Sequence, residues 1–159
     1  MTAGVAERFY SAFAARDWRA MGALYADDAR FSDPAFVDLD AVEARAMWRM
    51  LISRGTDLKL HYRVLDETAD SAQVHWTARY TFTQTGRPVV NEIDARLQLR
   101  DGNIVRHVDA FDFHRWARQA LGAPGLLLGW TPFFRRKVQA KARAGLRQYM
   151  QRLDQEKSS

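Results

Sequence analysis

Over the first third of the chain apolar side chains recur every three or four residues, and from Asp57 they recur every second residue. Val5, Phe9 and Phe13 form a stripe that predicts an amphipathic helix over residues 3–15. Asp17 reads as the N-cap of a second helix, in which Trp18, Met21, Leu24 and Tyr25 repeat at helical spacing. Residues 26–34, A-D-D-A-R-F-S-D-P, then turn into a short strand ending at Asp33. Phe31 and Asp33 are two apart, so in extended backbone both side chains leave one face and a carboxylate joins an apolar surface. Pro34 disfavours the helical region for Asp33 and fixes its direction. Asp40 followed by Glu43 reads as a capping box, opening a helix that buries Ala44, Met47, Trp48 and Leu51 and stops before Gly55.

The period-two half predicts strands. Leu58, Leu60, Tyr62 and Val64 alternate with polar residues, as do Val74, Trp76, Ala78, Tyr80 and Phe82, and then Ile93, Ala95, Leu97 and Leu99. A fourth run covers residues 104–113. The connections, residues 66–70, T-G-R-P at 85–88 and Asp101-Gly102, are turn chemistry, so consecutive strands are expected to pair antiparallel as a meander. One face of that sheet is apolar and aromatic, and the three helices must cover it. A further helix follows from near Phe113 to Gly122. After an apolar stretch broken by Pro124, Gly125, Gly129 and Pro132, a last helix runs from about Pro132 to Leu153, with Val138, Ala142, Leu146, Tyr149, Met150 and Leu153 as its stripe.

At 159 residues one folding unit is expected: a cone of residues 1–113, with residues 114–159 as a helical extension packed on it. Five Trp among 12% aromatics favour ring-walled interior space. The lack of cysteine excludes disulfides and thiolate zinc sites, and the four scattered histidines offer no metal spacing, so no metal is expected. No signal peptide or spanning segment is apparent, and a cytoplasmic address is expected. The net charge of +5 is uneven: from His114 onward ten Lys/Arg oppose two Asp/Glu, giving +8 there and −3 in residues 1–113.

Three segments carry a resemblance: V-A-E-R-F-Y-S-A-F, D-W-R-A-M-G-A-L-Y-A-D-D-A-R-F-S-D-P and D-G-N-I-V-R-H-V-D. With the element order above, residues 3 to about 113 resemble the nuclear transport factor 2-like superfamily, which includes ketosteroid isomerases, SnoaL-like polyketide cyclases and limonene epoxide hydrolases. The resemblance implies an α+β, cystatin-like cone: a curved antiparallel sheet covered by three N-terminal helices. It implies Asp33 as general base, and H-V-D resembles the H-x-D element of the cyclases, which makes His107 and Asp109 the proton donor or relay. The isomerase tyrosine falls on Phe9, a departure that removes its phenol, and the neighbouring Tyr10 is expected to point about 100° away around the helix. The Asp-Arg-Asp arrangement of the hydrolases is the weaker match, because Arg79 and Arg106 both sit opposite the expected pocket face by parity.

The second acidic isomerase position falls on Asp94, whose direction depends on the Asp101-Gly102 turn. A two-residue loop pairs Arg100 with Asn103 and sets Asp94 opposite Asp109. A three-residue loop pairs Leu99 with Asn103, puts Leu97, Ala95 and Ile93 on one face with Val105, His107 and Asp109, and leaves Asp94 as a surface partner for Arg96; this register keeps the leucines on the apolar face and is favoured.

The expected function is therefore cofactor-independent acid/base chemistry of isomerase, cyclase or hydrolase type on a small hydrophobic molecule. Asp33, Asp109 and His107 are the candidate catalytic groups, and Phe9, Trp48, Tyr62, Trp76 and Tyr80 the candidate substrate-binding walls. The alternative is a non-catalytic binding or assembly module of the same fold. A homodimer is expected from the resemblance, nucleic acid is not, and the basic C-terminal helix suggests peripheral membrane contact.

Overall fold

The computed structural model describes residues 3–158. Two helices, α1 (Val5–Ala14) and α2 (Trp18–Ala23), lead into strands β1 (Tyr25–Ser32) and β2 (Leu39–Asp40) and then helix α3 (Ala41–Arg54). Strands β3 (Lys59–Glu67), β4 (Ser71–Phe82), β5 (Arg87–Arg100) and β6 (Asn103–Ala110) follow, and helices α4 (Phe113–Leu121), α5 (Ala123–Leu128) and α6 (Pro132–Ser158) complete the chain. The α+β class and the β3–β6 meander are as the periodicity predicts. The sheet itself is larger and mixed: six strands in the order β2-β1-β6-β5-β4-β3, with β1 parallel to β6. Tyr25 opens β1 instead of closing the helical stripe.

Local chemistry sets the boundaries. The Asp17 carboxylate accepts the Ala20 N–H at 3.0 Å and caps α2. In α3 the capping box is complete, with Glu43 N–H donating to Asp40 at 2.8 Å and Asp40 N–H donating to Glu43 at 3.1 Å. Leu51 was expected in the core but is 39% exposed; the i+4 row through Ala44, Trp48 and Ile52 is buried instead. Arg16, itself in the left-handed region, ties the α1–α2 hairpin to the end of α3 by donating to the carbonyls of Ile52 and Gly55.

The turn after β5 combines the two registers considered above. Arg100 pairs with Asn103 across a two-residue loop whose Asp101 and Gly102 both have positive φ, as a tight hairpin of this hand requires. Leu99 then pairs with Ile104 but Gln98 with Arg106, so Val105 is the extra residue of a β-bulge. The bulge turns His107 and Asp109 to the face of Leu97 and Ala95, their direct partners, and puts Ile104 rather than Val105 in the core. The favoured face is observed with the other loop length.

The main core lies between this face and α1–α3. A second apolar cluster, with Val89, Phe113 and Trp116, seats α4 on the sheet. Helix α6 buries Leu146 and packs Ala142, Tyr149 and Met150 on the main core, while Gln139 donates to the Pro34 carbonyl at 3.0 Å and Arg143 to that of Val37 at 3.0 Å. Among the described residues no helix is long and apolar enough to cross a membrane.

Leu146 is the fully enclosed anchor of α6. Leu146→Ala is expected to lower unfolding stability by about 3 kcal/mol, read as a shift in the urea midpoint; a midpoint unchanged within error would mean that α6 is not docked there.

Candidate active site

The parallel β1–β6 pair assembles the site. Phe31 lies beside His107 and Ser32 beside Val108, so continuing the register brings Asp33 alongside Asp109. Phe31 and the His107 ring meet edge to face at 4.9 Å, and one step further along the same face the two carboxylates follow. A sequence reading that treats the strands as an antiparallel meander has no means of pairing the first with the last.

Behind the carboxylates runs a buried chain of hydrogen bonds. The Trp48 indole N–H donates to the Tyr25 hydroxyl oxygen at 2.8 Å, Tyr25 and His107 Nδ1 are 2.8 Å apart, and His107 Nε2 and Asp109 are 2.9 Å apart. The order of donation follows from the inventory of protons. The Tyr25 hydroxyl has no acceptor other than Nδ1 among the described residues, so its proton is satisfied when it goes there; Nδ1 is then an acceptor, and Nε2 carries the hydrogen given to Asp109. His107 is 0% and Asp109 4% exposed, and the imidazole is ringed by Phe9, Tyr25, Phe31 and Trp48 with centroids 4.9–6.1 Å away. Asp109 thus takes this partner rather than an arginine.

Asp33 stands at the strand's end. Its Oδ1 accepts the backbone N–H groups of Ala35 at 2.7 Å and Phe36 at 2.6 Å, a turn that Pro34 enforces and that α6 clamps through Gln139. Burial pushes this carboxyl up to about 7; the two backbone donors and Arg135 oppose the rise and the charge of Asp109 adds to it. Among the described residues Asp33 has no ion-pair partner within 4.0 Å.

Among the described residues two buried side-chain donors have no hydrogen-bond partner, the Tyr10 hydroxyl and the Trp76 indole N–H. Tyr10 was expected to point away from the Phe9 face, but α1 is buried on a wide enough arc that both rings are fully enclosed. Burial first, and then the charge of Asp109, raise the Tyr10 phenol well above its ordinary value, so this hydroxyl lies within the field of the carboxylate. Phe9, Trp48 and Trp76 are core residues, Phe9 edge-on to Trp48 at 5.9 Å and Trp48 tilted against Trp76 at 6.3 Å. Tyr62 is on the periphery, donating to Glu7 at 2.7 Å. Tyr80 accepts from the Trp116 indole at 2.9 Å and feels the charge of Asp33. Asp94 is on the outer face, with His75 across the β4–β5 ladder at 2.9 Å as its partner in place of Arg96. Two surface hollows, one beside Arg45 and Arg100 and one beside Arg49 and Met150, are lined by none of Asp33, His107 or Asp109.

Residues 6–107 match the SnoaL-like domain family. The chain belongs to that family. Its fold is accordingly that of the nuclear transport factor 2-like superfamily, and solved structures agree. A nuclear transport factor 2-like protein of unknown function from Burkholderia pseudomallei is 22% identical, with a TM-score of 0.64 over 74% of this chain and 95% of that one. A putative isomerase from Rhodopseudomonas palustris is 19% identical, with a TM-score of 0.62 over 77% and 99%. A putative polyketide cyclase from Xanthomonas campestris is 21% identical, with a TM-score of 0.58 over 72% and 93%. No curated protein matches the chain.

In this SnoaL-like domain Tyr25 and Tyr10 are the polar core groups that sequence reasoning missed. Tyr25 was assigned to a helical stripe, and Tyr10 was discounted by the helical wheel. The one available signal was the length of the A-D-D-A-R-F-S-D run, which leaves room for a strand starting at Tyr25.

The raised carboxyl of Asp33 has a thermodynamic sign. Its folded value of about 7 lies above the ordinary 3.8, so the folded state holds the proton more tightly and loses stability as pH rises between those values. Asp33→Asn keeps the turn acceptor but not the charge. Its stability relative to the parent is expected to improve by about 2.5 kcal/mol from pH 5 to pH 8; a difference that stays flat with pH would contradict the shift.

Proposed function

We propose that this SnoaL-like domain is an acid/base enzyme that moves a proton on a small hydrophobic carbonyl compound, in an isomerisation or ring closure of the cyclase type. The observation that carries the reading is the pair of neighbouring carboxyls at the edge of a ring-lined interior. Asp33 titrates close to neutrality, and Asp109 is backed by His107, Tyr25 and Trp48.

In this scheme the Asp33 carboxylate takes a proton from carbon adjacent to the substrate carbonyl, and the electron pair moves to the carbonyl oxygen. The Tyr10 hydroxyl and Trp76 N–H, the two buried donors without partners, are the groups suited to hydrogen-bond the enolate oxygen. They replace the phenol that the Phe9 position lacks. In isomerisation the proton returns from Asp33 to a second carbon; in ring closure the enolate carbon bonds to a second carbonyl carbon, whose oxygen takes the proton back from Asp33 directly or through Asp109 and His107, so no redox partner is required. The family membership and the isomerase and cyclase named among the structural neighbours support the class of reaction.

A second reading, a binding module without chemistry, is favoured by one observation: Phe9, Phe13, Trp48 and Trp76 are all buried and pack on one another by edge and tilted ring contacts. The two separate cleanly in an assay of cyclic enones and polyketide-like ketones. For the enzyme, Asp33→Asn lowers kcat by roughly 10²–10⁴-fold, activity rises with pH through about 7, and Asp109→Asn moves that inflection to lower pH by removing the like charge. Turnover equal in parent and Asp33→Asn, or ligand binding with no turnover in either, would refute the catalytic reading.

A further inference from the structure

Five of the large apolar side chains exposed on this domain fall within eight residues: Leu126, Leu127, Leu128, Trp130 and Phe133, with Leu127 at 68%, Trp130 at 71% and Phe133 at 70%. The exposure is built into the packing. Helix α5 turns its glycines inward: a Cβ at Gly125 would collide with the Ala117 carbonyl, and one at Gly129 would crowd His114 and Ala117. With the glycine face against α4, the three leucines face outward, the reverse of an ordinary amphipathic surface helix.

Three leucine carbonyls at this tip are satisfied from within. Leu126 O meets His114 Nε2 at 3.0 Å, Leu127 O accepts the Trp130 indole N–H at 3.1 Å, and Leu128 O accepts the Thr131 hydroxyl at 2.7 Å. Carbonyls at a helix C-terminus normally need water, and these do not, which removes the main cost of placing the tip in an apolar medium. The first turns of α6 add charge on the same side: Arg136 and Lys137 lie three and four residues beyond Phe133, Lys141 one turn further, all exposed. Among the described residues none of the three has an ion-pair partner within 4.0 Å. Residues 114–159 carry +8 against −3 for the rest.

We propose that the tip at residues 126–133 docks this domain on an anionic phospholipid bilayer. The leucines, Trp130 and Phe133 enter the interface, and Arg136, Lys137 and Lys141 meet headgroup phosphates. The apolar tip beside unneutralised cations fits that surface better than a protein partner, which would have to supply both an apolar socket and acidic groups. The proposal does not depend on the reaction proposed above.

The test is sedimentation of the full chain with vesicles of phosphatidylcholine alone or with 30 mol% phosphatidylglycerol, about 0.1 M salt being set against about 0.5 M. Binding is expected with phosphatidylglycerol only and is expected to weaken at least tenfold at high salt. The triple variant Leu127→Ser/Trp130→Ser/Phe133→Ser, checked for native circular dichroism, is expected to bind at least tenfold more weakly, and Arg136→Gln/Lys137→Gln to bind with a shallower salt dependence. No binding to anionic vesicles at the lower salt, equal binding to both vesicle types, or full retention by the triple variant would overturn the proposal. So would light scattering that finds the parent as an oligomer which the triple variant breaks into monomers, since a second copy then covers the tip.

Discussion

The constraint on which this domain turns is the burial of ionisable groups among aromatic rings. An imidazole with no solvent exposure and a carboxylate with almost none sit within a shell of Phe9, Phe31, Trp48 and Tyr25, where an unpaired polar group costs about 1–3 kcal/mol and a charge more. The chain from Trp48 through Tyr25 and His107 to Asp109 meets that cost by giving each group in turn a partner. The four groups come from three elements, α3, β1 and β6, so the bonds of Trp48 to Tyr25 and of Tyr25 to His107 also lock the helix layer to the sheet. Asp33 and the unpartnered donors of Tyr10 and Trp76 are where the satisfaction is incomplete, and those are the groups to which chemistry is assigned.

Two backbone features bring the carboxyls together. The parallel pairing of β1 with β6 aligns Asp33 with Asp109, and the bulge at Val105 decides that Asp109 faces inward at all. Without the extra residue the two-residue turn would set Arg96 opposite His107 and turn the pair toward polar neighbours. Helix α6 then closes the Asp33 corner from outside, bringing Gln139 to the Pro34 carbonyl and Arg135 close enough to oppose the rise of the Asp33 carboxyl.

Much of this was legible in the sequence because it rests on local rules. The caps at Asp17 and Asp40, the alternation from Leu58 to Leu99, and the inward parity of His107 with Asp109 follow from side-chain period and turn chemistry. What was hidden depends on distant parts of the chain. The parallel β1–β6 contact joins residues about 75 apart, the Val105 bulge shifts a register that loop length alone leaves ambiguous, and Tyr25 resembles a helical residue until a strand partner exists. The outward turn of Leu126, Leu127 and Leu128 was hidden for another reason: it depends on glycines packing tighter than any apolar side chain could.

Burial at the half-enclosed corner after β1, and not a specific ion pair, sets the proton affinity of Asp33. A carbon-13 NMR titration of the aspartate carboxyls, with Asp33 assigned through Asp33→Asn, measures this without a substrate. An inflection for Asp33 at about 7 is expected; one near the ordinary aspartate value of about 4 would show that burial does not shift it.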